Sequence, residues 1–227
     1  MSKAAAAIGR RRLYLCTPDR PDLEQFAASC IKGGVDVVQL REKSLSDGAL
    51  VKRARLLHKV CAEHGVPLIL NDRPDLVVAA EADGVHVGQD DVAPVEARRL
   101  VGPEAIVGLS THDSSQLLAA LDEPVDYISV GPVVPTPTKP GRPGTGLAYI
   151  TEAWRQCSSV KPPLPFFVTG DARPATVAQM AIAGARRFVA VRWLTGAADP
   201  RAAAYELRRS VEEAIARAGD RAPHGAS

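Results

Sequence analysis

The sequence has few aromatic residues, little excess charge and no long apolar run. Aromatic side chains make up 4% of the 227 residues, too few for a platform on which nucleic-acid bases stack. The formal net charge is +2, from 28 basic and 26 acidic residues, which is too small an excess of positive charge to indicate a nucleic-acid-binding surface. No apolar run approaches the roughly 20 residues of a membrane helix. We therefore expect neither nucleic acid nor membrane as a partner.

Cysteine is also scarce, and its spacing excludes two classes of site. The four cysteines are far apart in sequence and form no C-x-x-C pair, which argues against a zinc knuckle or a redox motif. We expect buried free thiols in a reducing compartment. The N-terminal apolar patch precedes three arginines, the reverse of the order in a signal peptide. These features predict a soluble, cytoplasmic protein with small-molecule substrates, and a homo-oligomer is compatible with them.

Short apolar runs rich in β-branched residues alternate with helical patterns along the chain. Continuous apolar runs indicate strands that are buried on both faces, as in a parallel sheet covered by helices. The predicted strands are Leu13–Thr17, Val35–Arg41, Val66–Asn71, Gly84–Gly88, Ala105–Ser110, Tyr127–Val133, Pro165–Gly170 and Arg187–Trp193. The predicted helices are Pro21–Ile31, Ser46–Cys61, Pro74–Ala80, Pro94–Leu100, Ser114–Leu121, Leu147–Cys157, Pro174–Ala183 and Pro200–Ala216.

Eight strand–helix units in about 200 residues predict an α/β fold, a single-domain (β/α)₈ TIM barrel. The barrel is expected over 13–217, between a loosely packed N-terminal tail at 1–12 and a C-terminal tail at 218–227. A doubly wound sheet is the alternative. It would need fewer strands and a glycine-rich first turn, and the sequence has no G-x-G-x-x-G motif.

Polar residues cluster just after the predicted strands and not before them. In a barrel these strand ends meet on one face, where active sites are found. The clusters are Gln39 to Lys43, Asn71 to Arg73, Gln89 to Asp91, Ser110 to His112, and Pro135 to Lys139. Surface salt bridges are the alternative explanation for any single cluster, but five clusters on one face favour a site.

The chemistry of these clusters predicts a metal–phosphate site. Asp72 and Asp91 end adjacent strands, and two carboxylates suit Mg²⁺, which keeps waters and takes phosphate oxygens from its substrate. Arg41, Lys43 and Lys139 would neutralise the rest of a polyphosphate. The long segment from Gly131 to Gly146 alternates proline, glycine and threonine, and we interpret it as a binding loop or lid rather than as a linker or a polyproline ligand.

Five motifs in order closely resemble the thiamine-phosphate synthase (thiamine phosphate pyrophosphorylase) family. The resemblance extends from about Leu13 to Thr195, nearly the whole predicted barrel. The motifs are QLREK at 39–43 (with its first residue Gln39), ND at 71–72, HVGQDD at 86–91, LSTH at 109–112 and GPVVPTPTK at 131–139. Together, at strand ends and with this spacing, they are far more specific than any one of them.

The resemblance implies a transferase of thiamine biosynthesis that joins hydroxymethylpyrimidine diphosphate to a thiazole phosphate, plain or carboxylated, with Mg²⁺. It assigns Asp72 and Asp91 to the metal, and it makes Ser110 a ligand of the diphosphate or of the neighbouring substrate. It also implies catalytic roles for Arg41, Lys43, Lys139 and Ser110. The pyrimidine diphosphate would be held by Gln39, Arg41, Lys43, Asn71 and Lys139. The thiazole phosphate would be held by Thr136, Thr138 and the backbone after strands 7 and 8, at Gly170 and Val191.

The chain departs from the family pattern after strands 7 and 8. Asp171 stands where the second glycine of a Gly-Gly pair is usual, and Arg192 stands where serine is frequent. Asp tolerates a positive φ, but its charge would repel phosphate. We hypothesise that Arg192 offsets Asp171 and helps to bind the phosphate, with Arg173 as a second candidate.

Two other functions are compatible with the fold. A thiazole tautomerase-like isomerase would not require the cations or the Asp72–Asp91 pair, and a noncatalytic ligand-binding module would explain Asp171 but not the other intact motifs. His86 is expected inside the barrel, and His112 is a candidate for a supporting position near the site. The sequence contains no H-x-x-x-H spacing that would indicate zinc.

Overall fold

A computed structural model describes residues 7–135 and 144–219, and in them eight parallel strands close into a barrel. Each strand pairs with its neighbours in chain order, and β8 pairs with β1. The fold is therefore the predicted (β/α)₈ barrel. The strands are β1 (Leu13–Thr17), β2 (Val37–Leu40), β3 (Leu68–Asn71), β4 (Gly84–Val87), β5 (Ile106–Thr111), β6 (Tyr127–Val130), β7 (Phe166–Val168) and β8 (Phe188–Ala190).

Helices cover the outside of the barrel. Pro200 and Pro174 stand in the first turns of their helices, where the missing N–H breaks no helical hydrogen bond. The helices are α1 (Leu23–Lys32), α2 (Asp47–Glu63), α3 (Pro94–Val101), α4 (Ser114–Ala120), α5 (Gly146–Ser159), α6 (Pro174–Ile182), α7 (Arg192–Thr195) and α8 (Pro200–Ala218). Throughout the described part of the chain, every helix falls short of the length and apolarity needed to cross a membrane.

The structure shortens most of the predicted strands at one or both ends; β6, for example, ends at Val130 and not at Val133. Two predicted segments also change in kind. The helix predicted over Pro74–Ala80 is only a 3₁₀ helix, Pro74–Leu76, followed by turns. The last predicted strand was extended to Trp193, but β8 stops at Ala190 and Trp193 lies in the short helix α7. In both places the chain turns before the apolar stretch ends, so the predicted element is cut short.

Strand side chains alternate between the helices and the barrel interior. On β1, Leu13 and Leu15 belong to the core beneath the helices, whereas Tyr14 belongs to an interior cluster. That interior cluster contains Ile8, Tyr14, Val37, Ile69, Ile106, Tyr127 and Phe167.

The expectation of a loose tail over 1–12 does not hold for its last six residues. Ile8 is completely buried and packs in the interior cluster, and both Nε and Nη2 of Arg187 donate to the carbonyl of Gly9. Ile8 therefore contributes to the barrel interior, and the Gly9 carbonyl ties the segment to Arg187.

Candidate active site

A cavity of about 380 Å³ opens at the carboxyl ends of the strands. Its volume is typical of a site for a small molecule. It is lined by every predicted site residue that the structure describes: Gln39, Arg41, Lys43, Asn71, Asp72, Asp91, Ser110, Gly170, Val191 and Arg192. The remaining three predicted residues, Thr136, Thr138 and Lys139, lie outside the described residues. The barrel thus brings together residues that are up to about 150 positions apart in sequence.

A charged cluster lies on one side of the cavity. The Nζ of Lys43 is 2.7 Å from Oδ2 of Asp72, which directly follows β3 and has a φ of 62°. Asp91 follows β4, and its Oδ2 accepts a hydrogen bond of 2.8 Å from the backbone N–H of Gly88. Asp72 and Asp91 both line the cavity and are close enough to shift each other's pKa. The fold therefore brings the two carboxyl groups to the same side of the cavity.

The two carboxyl groups shift each other's pKa in opposite directions. Burial acts to raise the pKa of Asp72, but the hydrogen bonds with Lys43 and Asp91 outweigh it, so its pKa is lowered. Burial and the hydrogen bond with Asp72 both raise the pKa of Asp91. Compared with an isolated aspartate, Asp72 therefore releases its proton more readily and Asp91 less readily, as expected when like charges share a site.

The floor of the cavity is a network of buried polar side chains. Gln39 Nε2 donates to the Tyr14 hydroxyl at 3.0 Å, and that hydroxyl lies 2.9 Å from the hydroxyl of Tyr127. His86 continues the network, with Nδ1 at 3.0 Å from the Tyr127 hydroxyl and Nε2 at 2.9 Å from Ser110 Oγ. This floor can offer both donors and acceptors to a polar ring.

On the opposite side of the cavity, the chain turns sharply after β7. Gly170 and Asp171 have φ values of 105° and 61°. A Cβ on Gly170 would lie only 2.4 Å from the backbone nitrogen of Val133, so this position accepts no larger residue without a shift. The Oδ2 of Asp171 forms an ion pair of 2.8 Å with Nε of Arg173, the second of the two candidates. Arg192 begins helix α7 and lines the cavity.

The sequence did not identify several residues of the floor as site residues. Four of them line the cavity but lie within strands that are apolar overall: Tyr14, Cys16, Tyr127 and Ser129. Successive side chains of a strand point to opposite faces, and these four lie on the same face as the polar residues at the strand ends. That alternation is the signal that identifies them. His86 is inside the barrel, as expected, and it also lines the cavity. His112 Nδ1 donates to the carbonyl of Gly131 at 2.5 Å, at the start of the predicted loop.

A closed parallel barrel with charged and polar groups converging at the carboxyl ends of its strands defines a TIM-barrel enzyme of small polar substrates. Residues 13–194 match the family model of thiamine monophosphate synthase. The chain therefore belongs to the thiamine monophosphate synthase family. This confirms the resemblance inferred from the five motifs and, with it, the expectation of a transferase of thiamine biosynthesis.

Individual relatives agree with the family model. The chain is 44% identical over 214 residues to a thiamine-phosphate synthase of Mycobacterium sp. (strain KMS), covering 89% of this chain and 93% of that protein. It is 45% identical over 213 residues to one from Saccharopolyspora erythraea, covering 89% and 94%. Among solved structures, thiamine phosphate pyrophosphorylase from Pyrococcus furiosus has a TM-score of 0.81 at 26% identity, covering 91% of this chain and 98% of that one.

Proposed function

We propose that this chain condenses 4-amino-5-hydroxymethyl-2-methylpyrimidine diphosphate with a thiazole phosphate, plain or carboxylated, to give thiamine monophosphate and diphosphate. The observation that carries the proposal is the meeting, in one cavity, of a carboxylate–cation cluster and a buried polar floor. The cluster suits a diphosphate, and the floor suits an aminopyrimidine ring. An isomerase without the condensation would need neither Asp72 nor Asp91.

The donor set fits Mg²⁺. Asp72 and Asp91 supply two carboxylates that interact at the cavity wall. Among the described residues, no three or more His, Cys, Asp and Glu side chains form a group that could hold a metal. Two carboxylates are enough, because Mg²⁺ usually completes its shell with waters and substrate phosphate oxygens. When bound, Mg²⁺ would stabilise the negative charge on the diphosphate.

The protein's own cations would assist departure of the diphosphate. The pyrimidine CH₂–O bond breaks and its electron pair goes to the diphosphate oxygen, while the amino-substituted ring stabilises the resulting cation. Arg41 and Lys43 line the same cavity and can stabilise the departing charge. We assign the same role to Lys139 from its motif, and contacts with the thiazole phosphate to Thr136 and Thr138.

The polar floor would orient the pyrimidine for attack. Gln39, Asn71 and Ser110 are each at most 9% exposed and line the cavity, so hydrogen bonds made there are shielded from water. The thiazole nitrogen attacks the CH₂ carbon with its lone pair and forms the new C–N bond. This step needs no general base, which is consistent with a site built from hydrogen-bond donors and cations.

The thiazole phosphate would bind on the side of β7 and β8. The loops after these strands and the first residues of a short extra helix form the phosphate site of many TIM barrels. Here those parts are Gly170, Val191 and Arg192. Arg192 supplies a cation that the usual serine lacks, and we propose that it contacts the phosphate directly.

The proposal includes a cytoplasmic setting and small molecules as the partners of the site. All four cysteines are free and buried, which is typical of a reducing compartment. The residues proposed for the site all belong to one chain, so the function does not depend on the oligomeric state. A homo-oligomer is compatible with it.

The test is formation of thiamine monophosphate from the two substrates with Mg²⁺, detected by fluorescence after oxidation. We expect product with the wild-type chain, none with EDTA, and a fall of about 100-fold or more in kcat for Asp72→Ala. Asp122→Ala, an exposed position outside the cavity, is the matched control and is expected to match wild type. Absence of product beside an active reference enzyme would contradict the proposal and favour the isomerase or the ligand-binding module.

A further inference from the structure

Cys16 lies at the edge of the polar floor, next to the residue that begins the hydrogen-bond network. It is 7% exposed and lines the cavity. The parallel register places Cys16 opposite Gln39, so both side chains occupy the same level of the barrel interior. The Cys16 thiol donates to Gln39 Oε1 at 3.1 Å.

The orientation of the Gln39 amide decides the direction of the whole network. An amide has one acceptor and one donor end of nearly equal shape, and its partners determine which end lies where. With Oε1 at the Cys16 thiol, Nε2 faces the Tyr14 hydroxyl. With the amide turned over, Nε2 would face sulfur, which is a weak acceptor, and Oε1 would face Tyr14.

Each orientation of the amide implies a different tautomer of His86. If Nε2 of Gln39 donates to Tyr14, Tyr14 donates its single proton to Tyr127, and Tyr127 donates to Nδ1 of His86. His86 then carries its proton on Nε2 and donates to Ser110 Oγ. In the reversed network Nδ1 carries the proton, and Nε2 accepts from Ser110 Oγ at 2.9 Å or from Ser129 Oγ at 3.4 Å.

Both tyrosines can act only as neutral O–H groups in this network. Burial is the main cause that raises the pKa of Tyr14 and of Tyr127 well above the ordinary value. Each hydroxyl therefore has one proton to donate, and reversing one link without the others would leave a buried proton without its acceptor in the network. The network has two discrete states, which is what allows a group at one end to set the other.

We propose that Cys16 is a positioning residue, whose thiol fixes the Gln39 amide and thereby holds His86 in the Nε2–H tautomer beside Ser110. The inference deepens the proposed function, because these residues line the cavity assigned to the aminopyrimidine. That ring alternates acceptor nitrogens with an amino donor. A floor with one fixed pattern of donors and acceptors would distinguish it from rings with the opposite pattern.

The test compares Cys16→Ala, which removes the donor, with Cys16→Ser, which keeps one in a smaller side chain. The first readout is ¹⁵N NMR of His86 at pH 8 without substrate, where the shifts of the two ring nitrogens report the tautomer. We expect the Nε2–H form in the wild type and a mixture of tautomers in Cys16→Ala. In Cys16→Ser the hydroxyl can donate to Oε1 but also accept from Nε2, so we expect a share of the Nε2–H form between those of the other two proteins. His86→Gln identifies the resonance.

The second readout is steady-state kinetics. Loss of one hydrogen bond predicts a rise of about three- to tenfold in KM for the pyrimidine diphosphate in Cys16→Ala, with KM for the thiazole phosphate unchanged. Cys16→Ser is expected to restore part of this loss, because its hydroxyl keeps a donor for Oε1. A loss through packing would instead raise both KM values in both variants and lower Tm.

The outcomes separate this inference from the proposed function. Wild-type protein that makes no thiamine monophosphate would contradict the function, while the NMR comparison would still decide the role of Cys16. An active wild type together with a Cys16→Ala variant of unchanged tautomer and unchanged KM would overturn the inference alone. Equal damage to both KM values in both Cys16 variants would also overturn it, because it would show a packing role.

Discussion

Two aspartates with positive φ flank the site at the scale of single residues. Asp72 and Asp171 have φ values of 62° and 61°, a conformation that costs a residue with a side chain about 1 kcal/mol or more. Lys43 pairs with Asp72 at 2.7 Å, and Arg173 pairs with Asp171 at 2.8 Å. These ion pairs hold carboxylates at both edges of a cavity that we assign to anionic substrates.

Replacement of Asp171 by glycine tests the thiazole side. Asp171→Gly removes a negative charge, relieves the strained φ and releases Arg173 from its ion pair. We expect KM for the thiazole phosphate to fall about threefold or more and Tm to be maintained, measured by steady-state kinetics and thermal unfolding.

Asp171→Asn is the matched control, because it removes the charge but keeps a residue that tolerates this φ. The same improvement in both variants would identify charge as the cause. Unchanged or weaker binding of the thiazole phosphate in Asp171→Gly would contradict the assignment of this side.

The sequence predicted the rim of the cavity better than its floor. Rim residues such as Asp72 and Asp91 follow strands, where polar side chains are conspicuous. Tyr14 and Ser129 lie inside apolar strands, where one polar side chain resembles a tolerated core residue until the closed barrel shows which face points inward. The partner of Asp171 could not be predicted, because local backbone geometry decides between Arg173 and Arg192.

At the scale of elements, a recurring aspartate joins neighbouring strands at the opposite end of the barrel. Asp36, Asp83 and Asp126 each stand one residue before an even-numbered strand and accept a backbone N–H at the start of the preceding strand. Arg208 also binds Asp36 at 2.7 Å, and Arg98 binds Asp126 at 2.6 Å. Stability thus depends on the strand starts, whereas the proposed chemistry occupies the strand ends.

Loss of one of these aspartates is expected to destabilise the fold without changing the site. Asp126→Ala removes the acceptor for the N–H of Val107 and leaves Arg98 without its carboxylate. We expect the free energy of unfolding to fall by about 2 kcal/mol in urea denaturation, with KM values unchanged.

The matched control for that variant is Asp122→Ala, which removes an exposed carboxylate four residues earlier in the chain. It is expected to change stability by less than about 0.5 kcal/mol. Equal stability of the two variants would refute the role assigned to the aspartates at the strand starts.

At the scale of the whole molecule, the closed barrel turns a dispersed set of motifs into one site. Strand and helix alternation predicted the barrel and its eight strands, because burial on both faces leaves a continuous apolar run for each strand. The contribution of Ile8 to the interior could not be predicted from a short apolar patch before three arginines. Ile8 is buried because the closed sheet has an interior for it to enter, and that interior exists only once all eight strands have paired.

The most direct test of the central claim is ³¹P NMR of one reaction mixture that contains the chain, Mg²⁺ and both substrates. We expect the pyrimidine diphosphate to be consumed while diphosphate and thiamine monophosphate appear in equal amounts. We also expect no product with EDTA, and formation of both products slowed by about 100-fold or more with Asp72→Ala. Release of diphosphate without an equal amount of thiamine monophosphate, or turnover that is independent of Mg²⁺ and Asp72, would contradict it.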